Sequence, residues 1–163
     1  MKILDVKKYP EKILREKCQA VEKITEREIE LFENMLFTMR HLSGIGLAGP
    51  QVGINQRLIV ADIGEGPIKL VDPQVIEIKG KDKMEEGCLS IPGALVKIER
   101  PQELIITGLN EEGKNVEIKA KGLLARVLLH EIDHLNGKLV VDYMNFLQKI
   151  KFKLDSINKY YKK

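Results

Sequence analysis

The sequence predicts an α+β fold, in which mostly antiparallel strands pack around a buried helix, with one helix towards the N-terminus and another at the C-terminus. Three observations support this fold: a capped amphipathic segment near residue 25, a middle region of short strands separated by turn residues, and two helical segments after residue 121. Strands and helices do not alternate along the chain, so a doubly wound parallel sheet is excluded. The length of 163 residues predicts one domain spanning 1–163.

The first helix is predicted to begin after Thr25, because Thr25 and Glu28 have the spacing of a capping box. Apolar residues at helical spacing mark the face that we expect to point into the core: Ile29, Phe32, Leu36 and Met39. The segment that follows, GIGLAGPQVG over 44–53, contains four glycines and a proline. We therefore expect a shaped loop there and no regular element.

The middle of the chain is expected to form short strands. The strand-like segments are 57–63, 69–78 (interrupted by Pro73), 94–101, 103–110 and 115–121. From 123 to 135 the apolar residues surround much of a helix, which predicts a buried helix that ends at Asn136-Gly137. We expect residues 139–143 to be extended and 146–161 to form the last helix, with Leu147, Ile150, Leu154, Ile157 and Tyr161 as its stripe.

Composition and charge are those of a globular protein. Apolar residues make up 44% of the chain and charged residues 31%, which excludes a disordered chain. We find no signal peptide and no segment with the apolar length of a membrane span, so we expect a cytoplasmic protein with reduced cysteines. The net charge of +3 arises in the basic C-terminal helix, because 145–163 holds six lysines against Asp155. This helix is either a solvated surface or a weak docking element for an anionic surface such as RNA.

A metal site is predicted from HEIDH, residues 130–134. His130 and His134 lie four positions apart, which places both imidazoles on one face of a helix. Burying two histidines and Glu131 among leucines is costly unless something pairs with them. A catalytic site of the zinc type has three protein ligands and an open position for water, so a third ligand is needed.

Cys88 is the third ligand that the residues favour. A third histidine, as in H-E-x-x-H-x-x-G-x-x-H proteases, is excluded because Val140 occupies its position. No glutamate follows His134; Asp155 lies in the basic tail, and Asp142 is too close in sequence to turn back onto the metal. Cys88 lies in EGCLS, where the preceding glycine allows close approach, and a thiolate with two imidazoles suits a borderline or soft divalent metal. Cys18 has no companion ligand and is expected to be structural.

Three segments together resemble the signature motifs of the peptide deformylases: GIGLAGPQ, EGCLS and HEIDH, in this order and at these separations. The resemblance covers nearly the whole chain. It implies an enzyme that removes the N-formyl group from the initiator methionine of nascent proteins and releases formate. It also implies one divalent metal ion, physiologically Fe²⁺, with Zn²⁺, Ni²⁺ or Co²⁺ tolerated.

The resemblance implies a role for each matching residue. Cys88, His130 and His134 would bind the metal, and Glu131 would serve as general base and acid. Gln51 and the Leu89 backbone N–H would stabilise the oxyanion. Gly46 would lie where the extended substrate backbone pairs with the enzyme.

We expect the substrate, an N-formylmethionyl peptide, to place its first side chain in an apolar pocket beside the metal. Ile45, Leu123, Val127 and the stem of Arg126 are candidate walls, although each could equally belong to the core. The rest of the peptide is expected to bind extended, through backbone hydrogen bonds to 44–46 and to 86–88, which include Gly87. We expect a monomer that binds neither DNA nor a membrane, with a transient ribosome contact through the C-terminal helix.

Two positions depart from the family pattern. Gly49 stands where the first motif usually has a second alanine, and Leu129 where glutamine usually precedes the histidine.

Two other functions compete with deformylation: a zinc endopeptidase with a carboxylate or histidine as third ligand, and a non-catalytic, metal-stabilised module that binds ribosomes. A structural zinc site normally has four protein ligands, whereas we find three here, which argues against the second.

Overall fold

The structure, a computed structural model, describes the backbone of residues 1–161 and the side chains of residues 1–155. It contains three α-helices and seven strands within that range. The helices are α1 (Glu26–His41), α2 (Gly122–Leu135) and α3 (Phe146–Tyr161). The strands are β1 (Gly46–Ala48), β2 (Leu58–Ala61), β3 (Ile68–Lys79), β4 (Asp82–Glu86), β5 (Val96–Arg100), β6 (Glu103–Leu109) and β7 (Asn115–Lys121).

The strands form two antiparallel sheets, which confirms the predicted α+β class. Five strands are hydrogen-bonded in the order β1-β2-β3-β6-β7, and β4 pairs with β5 as a separate hairpin. In β3 the register shifts between Val71 and Gln74, around Pro73 and around Asp72, whose φ is 49°. The interruption predicted at Pro73 is therefore present as an irregularity inside one long strand.

The larger sheet lies between α1 and α2, and strand β2 shows why. All four of its residues are buried. Because successive side chains of a strand point to opposite faces, Leu58 and Val60 pack in the cluster that contains Phe32 of α1. Ile59 and Ala61 pack in the cluster that contains Leu128 of α2. The central helix is thus buried against the sheet, as its apolar girth predicts.

Helix α1 begins with the predicted capping box. The Thr25 backbone N–H donates to the Glu28 carboxylate at 2.9 Å, and the Thr25 hydroxyl accepts from the Arg27 N–H at 3.3 Å. The predicted core face is correct for Phe32, Leu36 and Met39 but wrong for Ile29, which is 42% exposed. Met35 takes its place in the core, because Phe32, Met35, Leu36 and Met39 follow the three- and four-residue spacing that faces the sheet.

Two local predictions are wrong, and one strand was not predicted. Part of GIGLAGPQVG is regular after all, since β1 pairs with β2 and a 3₁₀ turn follows over Gly49–Val52. The segment predicted to be extended after α2 forms a 3₁₀ turn over Val140–Tyr143. Strand β4, which the sequence does not signal, exists because the hairpin with β5 supplies its backbone partners. These short elements depend on tertiary pairing that local pattern does not encode.

The last helix has the predicted bounds but little burial. Phe152 contacts the ring of Tyr9, with 6.2 Å between the ring centroids. Leu147, Ile150 and Leu154 of the predicted stripe are exposed, and the side chains of Ile157 and Tyr161 lie outside the described residues. None of the described helices is long and apolar enough to cross a membrane.

Candidate active site

Helix α2 and the turn after β4 bring the three predicted metal ligands together. The Cys88 Sγ lies 3.2 Å from the His134 Nε2, and the ligand atoms of Cys88, His130 and His134 all lie within 4.8 Å of one another. Their burial differs, since His134 is buried whereas Cys88 and His130 are partly buried. In the part of the chain that the structure describes, this is the one cluster of such ligands.

The donor set fits a divalent metal ion. A metal bonded to sulfur at about 2.3 Å and to nitrogen at about 2.1 Å brings its ligands to within roughly 3–4 Å of one another. The Cys88–His134 distance already lies in this range. Burial lowers the pKa of His134 well below its usual value, which favours the neutral imidazole that a metal requires. One thiol and two imidazoles with an open side are the donor set of a catalytic site for a borderline metal.

Glu86 orients the first histidine. Its Oε2 lies 3.0 Å from the His130 Nδ1, so the other ring nitrogen is left for the metal. The guanidinium of Arg100 donates to both Glu86 oxygens, at 2.7 and 2.9 Å, and Arg126 donates to Oε1 at 2.7 Å. Burial alone would raise the pKa of Glu86, but the hydrogen bonds from Arg100 and His130 lower it to about 2. The carboxylate is therefore ionised, and it holds the His130 ring in place.

The same ionic network reaches the helix between the two histidines. Arg100 also donates to the Asp133 Oδ2 at 2.8 Å, and the Tyr143 hydroxyl donates to the same oxygen at 2.7 Å. Glu86 and Asp133 thus share one buried arginine. The hairpin that leads into Cys88 is in this way tied to the helix that carries His130.

Replacing Glu86 with glutamine should weaken metal binding. Loss of a carboxylate behind a ligating histidine typically lowers metal affinity by about 10- to 100-fold. Glu86→Gln would also leave Arg100 and Arg126 without their shared anion, so we expect a lower melting temperature. Competition with a fluorescent chelator would measure the affinity. Glu85→Gln, at the exposed neighbouring position, should leave both quantities unchanged. A folded Glu86→Gln protein with wild-type affinity would contradict this role.

Glu131 lies beside the ligands with a free oxygen. Its side chain is buried, and its Oε2 has no hydrogen-bond partner among the described residues. Burial raises the pKa of Glu131 to about 7, and a protonated His130 would oppose this rise. A bound cation would add to that opposition and favour the carboxylate. Gly46 of β1 is in close contact, because a Cβ built there would overlap the Glu131 Oε1 and lie 2.9 Å from the Val127 Cγ1.

Gln51 and Leu89 approach the cluster from two different segments. The Ala48 N–H donates to the Gln51 Oε1 at 2.8 Å, which fixes the orientation of the amide. The Gln51 Nε2 then donates to the Ser90 Oγ at 3.2 Å and contacts the Cys88 Sγ at 3.6 Å. Its amide group therefore faces the metal ligands from the side of the first motif. Leu89 directly follows Cys88, so its backbone N–H belongs to the same turn.

These groups surround one cavity of about 420 Å³. Of the residues predicted from the sequence, the following line it: Ile45, Gly46, Gln51, Gly87, Cys88, Leu89, Leu123, Val127, His130 and Glu131. His134 lies behind the lining and contacts Cys88. Arg126 also lines the cavity, while its guanidinium is bound to Glu86, to the Ile98 carbonyl and to Asp82. All the predicted residues thus meet at a single place.

The polar residues that support the candidate ligands were not predicted from the sequence. Glu86 carried a signal, because it lies two positions before Cys88 in the second motif. Asp133 carried the same kind of signal, because it lies within HEIDH, whereas Arg100 carried none, since charged residues are common in a chain that is 31% charged. Leu129, at the position where the family usually has glutamine, packs at the edge of the core cluster around α2. No polar contact is formed there.

The chain is similar to known proteins over most of its length. The family model described as polypeptide deformylase matches residues 3–150. The peptide deformylase of Halothermothrix orenii is 49% identical over 144 residues, which are 87% of this chain and 94% of the relative. That of Clostridium botulinum is 48% identical over 142 residues, covering 87% of this chain and 97% of the relative.

Solved structures show the same fold. The crystal structure of the peptide deformylase from Thermotoga maritima aligns with a TM-score of 0.86 at 39% identity, over 89% of this chain and 99% of that one. The peptide deformylase from Ehrlichia chaffeensis, solved in complex with actinonin, aligns with a TM-score of 0.93 at 35% identity, over 98% of both chains. The chain belongs to the polypeptide deformylase family.

Proposed function

We propose that Cys88, His130 and His134 hold one divalent metal ion, and that Glu131 uses it to hydrolyse the N-formyl group of nascent polypeptides. The chain is a peptide deformylase by family, and such enzymes remove the formyl group from N-terminal formylmethionine in a metal-dependent reaction. The observation that carries the residue assignment is that the Cys88 sulfur, the His130 imidazole and a buried Glu131 oxygen with no partner among the described residues meet at one cavity, with His134 directly behind its lining.

The metal would supply activation of water and polarisation of the formyl oxygen. We favour Fe²⁺ because the resemblance to the peptide deformylases implies it. A thiolate with two imidazoles suits any borderline divalent metal, so Zn²⁺, Ni²⁺ and Co²⁺ suit the same set. Glu86 supports the role of His130 as a metal ligand, since its carboxylate fixes the tautomer of the His130 ring. Metal analysis of protein purified without oxygen would identify the ion.

Glu131 acts as the general base and then as the general acid. Its side chain follows His130 by one position, so on the helix it is rotated by about 100° from that ligand and is not aimed at the same point. The free Oε2 accepts a proton from the attacking water. Glu131 then donates this proton to the departing amine, which leaves formate and a free N-terminus. The balance is one water consumed per formyl group.

Gln51 and the Leu89 N–H stabilise the oxyanion that develops on the formyl oxygen. The Gln51 amide is already oriented by Ala48 and Ser90, so it needs no reorganisation as charge develops. Its weak contact with the Cys88 Sγ, at 3.6 Å, is the one that it would exchange for the substrate oxygen. Removal of one such donor typically lowers kcat by ~10²–10³.

The substrate binds extended across the mouth of the cavity. Ile45 and Leu123 are exposed apolar residues at this mouth, and Val127 lies deeper with the Arg126 stem. This surface suits a methionine side chain, while the backbone of Gly46 and Gly87 remains open to pair with a peptide. Backbone pairing reads little sequence, which suits an enzyme that acts on most nascent chains.

We further expect one catalytic domain over 1–163, a monomer and a cytoplasmic location. The monomer is the simplest state in which this site works, because the proposed ligands, base and cavity lining need no residue from a second copy. For the ribosome contact, the support is the exposed charge of Lys149, Lys151 and Lys153 on α3. Charge reversal at these three lysines should then reduce co-sedimentation with ribosomes without altering turnover of a short peptide.

The proposed reaction is tested with formyl-Met-Ala-Ser. Purified, metal-loaded protein should release formate from this peptide, and addition of a chelator should stop the release. Unformylated casein, offered under the same conditions, should remain intact. Cleavage of casein together with an inert formyl peptide would favour an endopeptidase and would contradict the proposal.

Replacing Gly46 with alanine should disturb Glu131. The added Cβ would overlap the Glu131 carboxylate, so either β1 or the base must move. Overpacking of this kind typically destabilises a protein by about 1–3 kcal/mol. We also expect Gly46→Ala to lose most of the deformylase rate. Thermal melting of Gly46→Ala, alone and combined with Glu131→Ala, tests whether the overlap with the Glu131 carboxylate causes the loss of stability. The double variant lacks that carboxylate, so the added Cβ should destabilise it less. Equal losses of stability in both backgrounds would contradict it.

A further inference from the structure

We propose that the N-terminal segment 7–9 positions the two oxyanion donors, and that the Lys8 ammonium is the side-chain contact through which it does so. The inference rests on the proposed function, because it concerns Gln51 and the Leu89 N–H in their assigned role. The segment lies outside all three family-like motifs and outside the cavity lining.

The two donors need an external link because they lie on separate segments. Gln51 belongs to the 3₁₀ turn Gly49–Val52, whereas Leu89 belongs to the turn after β4. Side-chain contacts run from the Gln51 Nε2 to the Ser90 Oγ at 3.2 Å and to the Cys88 Sγ at 3.6 Å, but neither of them involves the backbone of Leu89. An oxyanion bound by both groups requires the distance between these segments to be fixed.

Segment 7–9 bonds to both turns in succession. The Lys7 N–H donates to the Gln51 carbonyl at 2.8 Å, and the Tyr9 N–H donates to the Ser90 carbonyl at 2.9 Å. Between these, the Lys8 ammonium donates to the Leu89 carbonyl at 2.7 Å. Three consecutive residues thus connect the backbone of Gln51 to the backbone of the Leu89 turn.

The Lys8 contact completes the anchoring of that turn. Each carbonyl of this turn accepts one hydrogen bond: that of Cys88 from the Ile91 N–H at 3.0 Å, that of Leu89 from the Lys8 ammonium, and that of Ser90 from the Tyr9 N–H. The Leu89 carbonyl is the one that depends on a side chain. Fixing the peptide planes on both sides of Leu89 fixes the direction of its N–H, which is the preorganisation that an oxyanion donor needs.

Lys8 can be changed without loss of the backbone around it. Its N–H donates to the Glu11 Oε1 at 3.0 Å, and its carbonyl accepts from the Glu11 N–H at 2.9 Å. The side chain is exposed, so a neutral substitute creates no buried unpaired group. A variant at this position therefore reports on the Leu89 turn and not on folding.

The test compares Lys8→Met with Lys12→Met, which removes the same charge from an exposed neighbouring position. Lys8→Met should lower kcat by about 3- to 10-fold, a fraction of the ~10²–10³ lost with a whole donor. KM and metal content should stay within twofold, because the oxyanion exists in the transition state and not in the bound substrate. Lys8→Arg, which can still donate to the carbonyl, should restore kcat to within twofold, and Lys12→Met should match wild type.

Gln51→Ala in the same assay separates the role of Lys8 from the oxyanion role assigned to Gln51. A large loss in Gln51→Ala with wild-type kcat in Lys8→Met overturns the role of Lys8 alone. A loss in Lys8→Met that Lys8→Arg does not restore, or that appears in KM and not in kcat, also overturns it. Wild-type kcat in Gln51→Ala overturns the oxyanion assignment, and the role of Lys8 with it.

Discussion

Glu131→Ala should retain the metal and lose deformylase activity. The carboxylate is not among the three clustered ligands, and one of its oxygens has no partner among the described residues. General acid–base catalysis contributes typically 10²–10⁴-fold, and here one residue serves both steps, so we expect kcat to fall by at least ~10³. Formate release measures the rate, and metal analysis of the same preparation measures occupancy.

Glu131→Gln is the matched variant for this prediction. It keeps the volume of the side chain but cannot accept a proton, so it should be as inactive as the alanine variant. A glutamine or alanine variant that keeps most of the rate would show that another group moves the proton. A variant that loses the metal would show that Glu131 is a ligand.

Cys88→Ala should lose both the metal and the activity. It removes the sulfur that lies 3.2 Å from the His134 Nε2 and leaves two imidazoles, which is one ligand fewer than a catalytic site of this type uses. We expect metal content to fall below a tenth of the wild-type value after dialysis. Cobalt substitution supplies a second measurement, because the thiolate-to-cobalt charge-transfer absorption should disappear.

Cys18→Ala is the control for the loss of a thiol. Cys18 is buried in the core cluster around α2, and burial raises the pKa of its thiol to about 11, so the thiol is a poor ligand at neutral pH. This variant should keep the metal and the rate, with a small loss of stability from the missing side chain. Retention of stoichiometric metal in Cys88→Ala would contradict the ligand assignment.

The sequence predicts the longer elements because their signals are local. Thr25 and Glu28 satisfy orphaned donors of their own helix, so the start of α1 follows from four residues. Helix α2 follows from apolar residues around its girth and from Asn136-Gly137 at its end, where Gly137 has a φ of 70°. The motif HEIDH places His130 and His134 close together because a helix fixes the spacing of its side chains.

The short elements depend on partners that are distant in sequence. Strand β4 reads DKMEE, which has little β-propensity, yet it pairs along its length with β5. Ile29 is exposed because a three-residue step to Phe32 puts it at the edge of the helix face, and no element in the described part of the chain covers that edge. Periodicity alone does not decide which side of a stripe is buried.

The support around the site could not be predicted for a related reason. Arg100 lies 14 positions after Glu86 and 33 before Asp133, and it joins them only once the hairpin is folded against α2. Lys8 reaches Leu89 across 81 positions. Ligands and base can be read from motifs, because their chemistry demands particular residue types. Residues that orient them can be of many types and are visible only in the folded chain.

The arrangement of one sulfur and two imidazoles around a single ion is tested most directly by a crystal structure of the metal-loaded protein with anomalous diffraction at the metal edge. We predict one strong anomalous peak at about 2.3 Å from the Cys88 Sγ and about 2.1 Å from a ring nitrogen of both His130 and His134. A peak elsewhere, or one bonded to the histidines with a carboxylate in place of Cys88, would contradict the account.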